Sequence, residues 1–212
     1  MKLDQQVPER DVGALHRETI DAEPARVYVV ALEADLARAA HRGRAVAALM
    51  AARATPTRLG RALRRRPAPA ADPVRLESLP DPGEWVTLDE DFGRELVFGA
   101  IGRVRSRSIS WRQIRSSEFA RFSEPGHARV AANLSLHPDG GGRTILTFEL
   151  RALATDPETR RRLVRYWRFA SPLVSQFMRG VLRYVKDEAE RGYSPDTPPP
   201  SRAASRASSR FG

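Results

Sequence analysis

The chain has 212 residues, 41% of them apolar, and a formal net charge of +10, which is enough length for one domain with a real core. It contains no cysteine, so disulfides, thiol catalysis and thiolate metal sites are excluded, and no run approaches the roughly 20 apolar residues of a membrane span. Its positive charge is almost all arginine, with Lys2 and Lys186 the only lysines, and it is spread along the chain; this speaks first to a solvated surface and only then to nucleic acid or an acidic partner.

Residues 1–12 are polar and read as a flexible N-terminal arm. They lack the apolar stretch of a signal peptide, so the expected location is cytoplasmic. The segment 14–20 (ALHRETI) reads as a first strand, with Leu15, Arg17 and Thr19 opposite His16, Glu18 and Ile20. Asp21-Ala22-Glu23-Pro24 opens a helix, since proline suits the first turn and acids suit the positive end of the helix dipole. Further helical stretches near 44–53 and 57–66 make residues 24–66 a helical insertion, followed by a Pro-rich linker at 67–73. Strand patterns follow at 84–89, 94–101 and 108–114, while 118–124 is ambiguous. Gly99 in the second of these, and Gly102 just after it, predict a bend, a bulge or the close approach of another backbone. Segments 128–136 and 143–153 alternate cleanly around His137-Pro-Asp-Gly-Gly-Gly142 and read as an antiparallel hairpin.

The last regular segment, 156–190, is the most distinctive. Asp156-Pro157-Glu158 is a helix start, and Leu163, Tyr166, Trp167, Ala170, Leu173, Val174, Phe177, Val181, Val185 and Ala189 form one apolar stripe. Most of its arginines fall on the other side. Pro172 predicts a kink or break near Ser171. Residues 192–212, rich in Pro, Ser and Arg, read as a disordered tail. No nucleophile elbow, phosphate-binding loop or dinucleotide fingerprint is present. The four histidines, His16, His41, His127 and His137, show no metal-ligand spacing, so no metal and no cofactor is expected.

The order of strand, helices, antiparallel strands and long final helix resembles the helix-grip fold of the START-like (SRPBCC) superfamily over about residues 14–191. That group includes lipid-transfer domains, birch-pollen-type allergens, and polyketide cyclases and aromatases. A narrower likeness is to uncharacterised bacterial members, carried by Phe98-Gly-Ala-Ile-Gly102, Phe119-Ala-Arg-Phe-Ser-Glu-Pro-Gly-His-Ala128, Thr147-Phe-Glu-Leu-Arg151 and Arg165-Tyr-Trp-Arg168. The resemblance implies an α+β domain at 13–191, with a curved antiparallel sheet gripping the C-terminal helix, extra helices between the first and second strands, and an apolar cavity in the grip. It does not imply one activity.

On this reading Phe98, Trp111, Phe148, Trp167 and Phe177 are candidate ligand-binding residues, set against ordinary core packing. Glu149 and Arg151, two apart on one strand face, are either an ion pair on the sheet's outer face or, with His127, acid/base groups. Arg58, Arg61, Arg64, Arg65 and Arg66 form a basic cluster that is either a solvated helix face or a contact for anionic lipid. The leading expectation is binding or transfer of a hydrophobic small molecule or lipid. The alternative is a cyclase, aromatase or dehydratase for polyketide-like substrates, and nucleic-acid binding ranks third. The sequence leaves the oligomeric state open.

Overall fold

The computed structural model describes residues 2–34, 85–105 and 108–191. The expected helices after residue 34, the linker at 67–73, the basic cluster at 58–66 and the tail at 192–212 lie outside the described residues.

The elements in chain order are α1 (Lys2–Gln6), β1 (Val12–Ile20), α2 (Pro24–Glu33), β2 (Val86–Asp91), β3 (Glu95–Val104), β4 (Ile109–Arg112), α3 (Ser116–Phe119), β5 (His127–Pro138), β6 (Thr144–Ala154) and α4 (Pro157–Glu190). The strands form one antiparallel sheet in the order β1-β6-β5-β3-β2, and β4 also pairs with β3. β2 covers the first half of one edge of β3 and β4 the second half, because Val86 pairs with Gly99 and Arg112 with Ile101. A register shift between Thr87 and Asp89 bulges β2. With α4 lying against it, this is the helix-grip arrangement, an α+β fold.

The β5–β6 hairpin closes through Gly140, Gly141 and Gly142, all at positive φ, a run of left-handed residues that only glycine adopts cheaply. Gly99 and Gly102 act by close approach, one on each face of β3. A Cβ on Gly102 would lie 2.4 Å from Ile109 Cγ2 and 3.2 Å from the Trp111 ring, and a Cβ on Gly99 would lie 2.7 Å from Leu88 Cδ1 and 2.9 Å from the Phe119 ring.

The inner face of the sheet meets α4. Two clusters anchor the helix there. Leu163, near its start, packs with Val12, Val104, Ala128, Val130 and Ala152. Met178, Val181, Leu182, Val185 and Ala189, toward its end, pack with Leu134, Leu136 and Leu146 of the sheet and with Val27, Tyr28 and Ala31 of α2. Met178 and Leu182 were not part of the stripe expected from the sequence. Asp156 caps the helix, accepting from Thr159 N at 2.9 Å and Thr159 Oγ1 at 2.6 Å, and it also accepts from Gly126 N at 2.8 Å at the entry to β5. These donors, the Gly126 N–H foremost, hold its carboxyl well below the usual carboxylate range.

Two expectations are corrected. α4 runs unbroken through Pro172, so the break that Pro172 could have caused near Ser171 is absent. Pro172 and Arg168 are exposed, so the Arg168 carbonyl freed by the missing N–H lies on the solvent side of the helix, where water can satisfy it. The N-terminal residues do not form a loose arm. They fold back over the outer face of the sheet, where Leu3 and Val7 are fully buried against Val97, Ile101, Ala131 and Phe119. The sheet is therefore covered on both faces, which is why Glu95–Val104 is buried almost throughout instead of at alternate positions.

Candidate functional site

Strand alternation fixes which side chains meet α4. On β3, β5 and β6 these are the even-numbered residues, among them Phe98, Leu134 and Phe148. From Val164 to Phe177 no residue of α4 is fully buried, although both ends of the helix are. At 1.5 Å per residue the anchors Leu163 and Met178 are about 22 Å apart. The middle of the helix thus spans the inner face between two well-packed ends.

Aromatic rings line this stretch. Trp111 is 5.5 Å from Trp85, Trp85 is 5.6 Å from Phe98, Phe98 is 6.3 Å from Phe148, and Phe148 is 6.4 Å from Phe177, centroid to centroid. Each contact is tilted or edge-on, the arrangement that aromatic quadrupoles favour. Trp167 packs, like Trp85 and Trp111, against the cluster that holds Leu163. The five ring-bearing residues singled out in the sequence thus share one side of the sheet. Phe98 and Phe148 are buried, while Trp111, Trp167 and Phe177 are half-buried. Trp85, which stands just before β2, was not among the residues singled out from the sequence. The chain has three tryptophans, and all three pack against the Leu163 cluster.

The polar group at the row is His16. It pairs in register with Phe148 and so shares its inner face. Its Nε2 is buried without a hydrogen-bond partner. Burial, and then the charge of Arg179, push its imidazole below the ordinary value of 6.5, which favours the neutral ring with one donor and one acceptor nitrogen. The signal in the sequence was its two-residue phase with Ile20, which is fully buried at the end of the same strand.

Glu149, Arg151 and His127 lie on the opposite face. Glu149 Oε1 accepts from Arg151 Nε at 2.7 Å and from Arg10 Nη1 at 2.9 Å. Arg151 Nη1 also donates to Asp4 at 2.7 Å and to the Val7 carbonyl at 3.0 Å. The two form an ion pair on the outer face, as one reading expected, but a buried one: it is a strut that pins the N-terminal segment to the sheet, and it is not an inward-facing acid/base set. His127 packs edge-on against Phe122, with its Nδ1 3.0 Å from the Pro125 carbonyl. Both readings of these residues from sequence missed the N-terminal cover, which supplies the partners Asp4, Val7 and Arg10.

A separate open cleft of about 440 Å³ lies at the β2–β3 turn, lined by Pro24, Asp91, Arg94, Glu95, Ser135 and His137 among others, and it shares no residue with the aromatic row. Among the described residues no group of three His, Asp or Glu side chains is placed to hold a metal ion. No helix among them is long and apolar enough to cross a membrane.

No protein-family model matches the sequence, and no curated protein does. Among solved structures the chain is similar to the protein TTHA0849 from Thermus thermophilus (12% identity, TM-score 0.34, covering 86% of this chain and 100% of that one). It is also similar to the protein MLL2253 from Mesorhizobium loti (13%, TM-score 0.37, covering 83% and 98%). A third likeness is to the Zhui aromatase/cyclase from Streptomyces sp. R1128 (14%, TM-score 0.30, covering 88% and 99%). Identities and TM-scores this low assign no function, and the fold rests on the strand order and helix placement described above. By those features the chain has an α+β helix-grip fold.

Proposed function

We propose that the protein binds a hydrophobic small molecule or lipid between the inner face of the sheet and the middle of α4. The observation that carries this reading is the contrast along the helix. Its ends are fully packed, while its centre presents half-buried rings to a row of aromatic side chains. A buried apolar surface with few polar groups is what an apolar ligand needs. The unpartnered His16 Nε2 supplies one polar contact, so a ligand carrying a hydroxyl or carbonyl fits better than a pure hydrocarbon. Native mass spectrometry of protein purified from its own host, paired with titration of an apolar fluorescent probe, tests this. A bound apolar species that the probe displaces supports it. Protein that is mass-clean and does not bind the probe would refute it.

One observation favours a second reading, catalysis of the cyclase, aromatase or dehydratase kind on a polyketide-like substrate. A neutral imidazole on the inner face is suited to accept or return a proton. Glu149, Arg151 and His127 give this reading no support, since all three lie on the other side of the sheet. In a turnover assay, His16→Gln would abolish product formation while leaving probe affinity intact. A variant as active as the parent removes the reading.

A further inference from the structure

We propose that the solvent face of α4 docks on an anionic lipid surface, with Phe169 entering the acyl boundary. From Thr159 to Lys186 the helix carries eight cationic residues and no acidic one. Three of the eight are engaged. Arg160 reaches Asp11 at 2.7 Å, Arg162 pairs with Glu158, and Lys186 lies 3.3 Å from Glu190. The other five, Arg161, Arg165, Arg168, Arg179 and Arg183, have no carboxylate partner among the described residues. At about 100° per residue they fall within one arc of roughly 60° opposite the buried stripe. The arginine row is about 33 Å long at 1.5 Å per residue.

The second observation concerns shape and polarity. Phe169 borders this row and is 78% exposed, the most exposed large apolar side chain among the described residues, and Val164 on the other flank is 37% exposed. Duplex DNA, whose bases are stacked inside the helix, would use the arginines but would leave Phe169 in water. A bilayer with anionic headgroups uses both, because the guanidinium row meets phosphates while the ring passes below them. The helix is not apolar enough to cross, so the contact lies in the interface plane.

The test is co-flotation of the full chain with phosphatidylcholine vesicles prepared with and without phosphatidylglycerol. Binding to the anionic vesicles alone is expected. Each arginine near a charged surface contributes about fivefold in partitioning, so Arg165→Gln with Arg168→Gln should weaken binding roughly 25-fold. Phe169→Ala should weaken it about fivefold through lost apolar insertion. These side chains are exposed, so the variants should keep the parent's circular dichroism and melting. Equal binding to neutral and anionic vesicles would overturn the proposal. So would a Phe169→Ala variant that binds like the parent while duplex DNA competes fully, since that identifies a generic polyanion face. The proposal stands apart from the ligand site, because none of these substitutions touches the aromatic row.

Discussion

Replacing Glu149 by alanine separates a structural strut from a catalytic group. The Glu149 side chain is 3% exposed and accepts from Arg151, 11% exposed, and from Arg10, 55% exposed. Removing one partner of a buried, hydrogen-bonded ion pair costs about 3–5 kcal/mol, because the other charge is left uncompensated. Here the lower end applies: Arg151 retains Asp4 at 2.7 Å and the Val7 carbonyl at 3.0 Å, and Arg10 can turn to water. A loss of about 3 kcal/mol corresponds to a fall in Tm of roughly 6–12 °C for a chain of this size. Urea unfolding and thermal melts would measure it, and the apolar-probe Kd should be unchanged at temperatures where the variant is folded. Replacing both partners, Glu149→Leu with Arg151→Met, should recover most of the loss, to within about 1 kcal/mol of the parent. A single variant as stable as the parent, or a folded one that no longer binds the probe, would refute the reasoning.

Three further outcomes follow from the packing and the titration. Leu3→Ala empties a fully buried position beneath the N-terminal cover and should cost about 2–4 kcal/mol by chemical denaturation; a change under about 0.5 kcal/mol would mean that the segment does not hold the sheet. Gly102→Ala places a methyl group 2.4 Å from Ile109 Cγ2 and against the Trp111 ring, so it should destabilise by about 1–3 kcal/mol and shift tryptophan emission, and an unperturbed spectrum would contradict the contact. His16 is held below 6.5 in the folded state, so the unfolded chain takes up its proton first; the stability that depends on the neutral ring is complete above the unfolded value and is lost as pH falls through 6.5 toward the depressed folded value. The urea midpoint of the parent should therefore drop between about pH 8 and pH 5 more than that of His16→Gln, and parallel profiles would show that the ring does not report on burial.

How far the sequence anticipated this structure depends on where local chemistry decided the outcome. The start of α4 was legible because Asp156-Pro157 acts locally, and the observed cap uses Asp156 as expected. The β5–β6 hairpin was legible because alternation and a triple glycine both act locally. The glycines of β3 were readable as special positions, but the backbone expected to approach them is replaced by side chains, and Ile109, Trp111 and Phe119 arrive from later in the chain. The N-terminal cover was not legible. Leu3 and Val7 are isolated apolar residues in a polar stretch, and only the continuous burial of β3 on both faces shows that something must cover the outer side. The same omission hid the role of Glu149 and Arg151, whose partners lie nearly 140 residues away or more. Pro172 misled because a proline's effect depends on its side of the helix, and its exposed position spares the helix a break.

All three tryptophans of the chain, Trp85, Trp111 and Trp167, pack against one cluster, and Trp85 and Trp111 stand in the aromatic row, so their emission during titration with an apolar ligand is the most direct test of the binding site. Binding in the grip predicts a saturable change in emission that tracks probe occupancy and is lost in Phe177→Arg, which puts a charge into the row while the packed ends of α4 remain. Saturating ligand that leaves the emission unchanged, or a Phe177→Arg variant that responds like the parent, would place the ligand elsewhere and contradict the account.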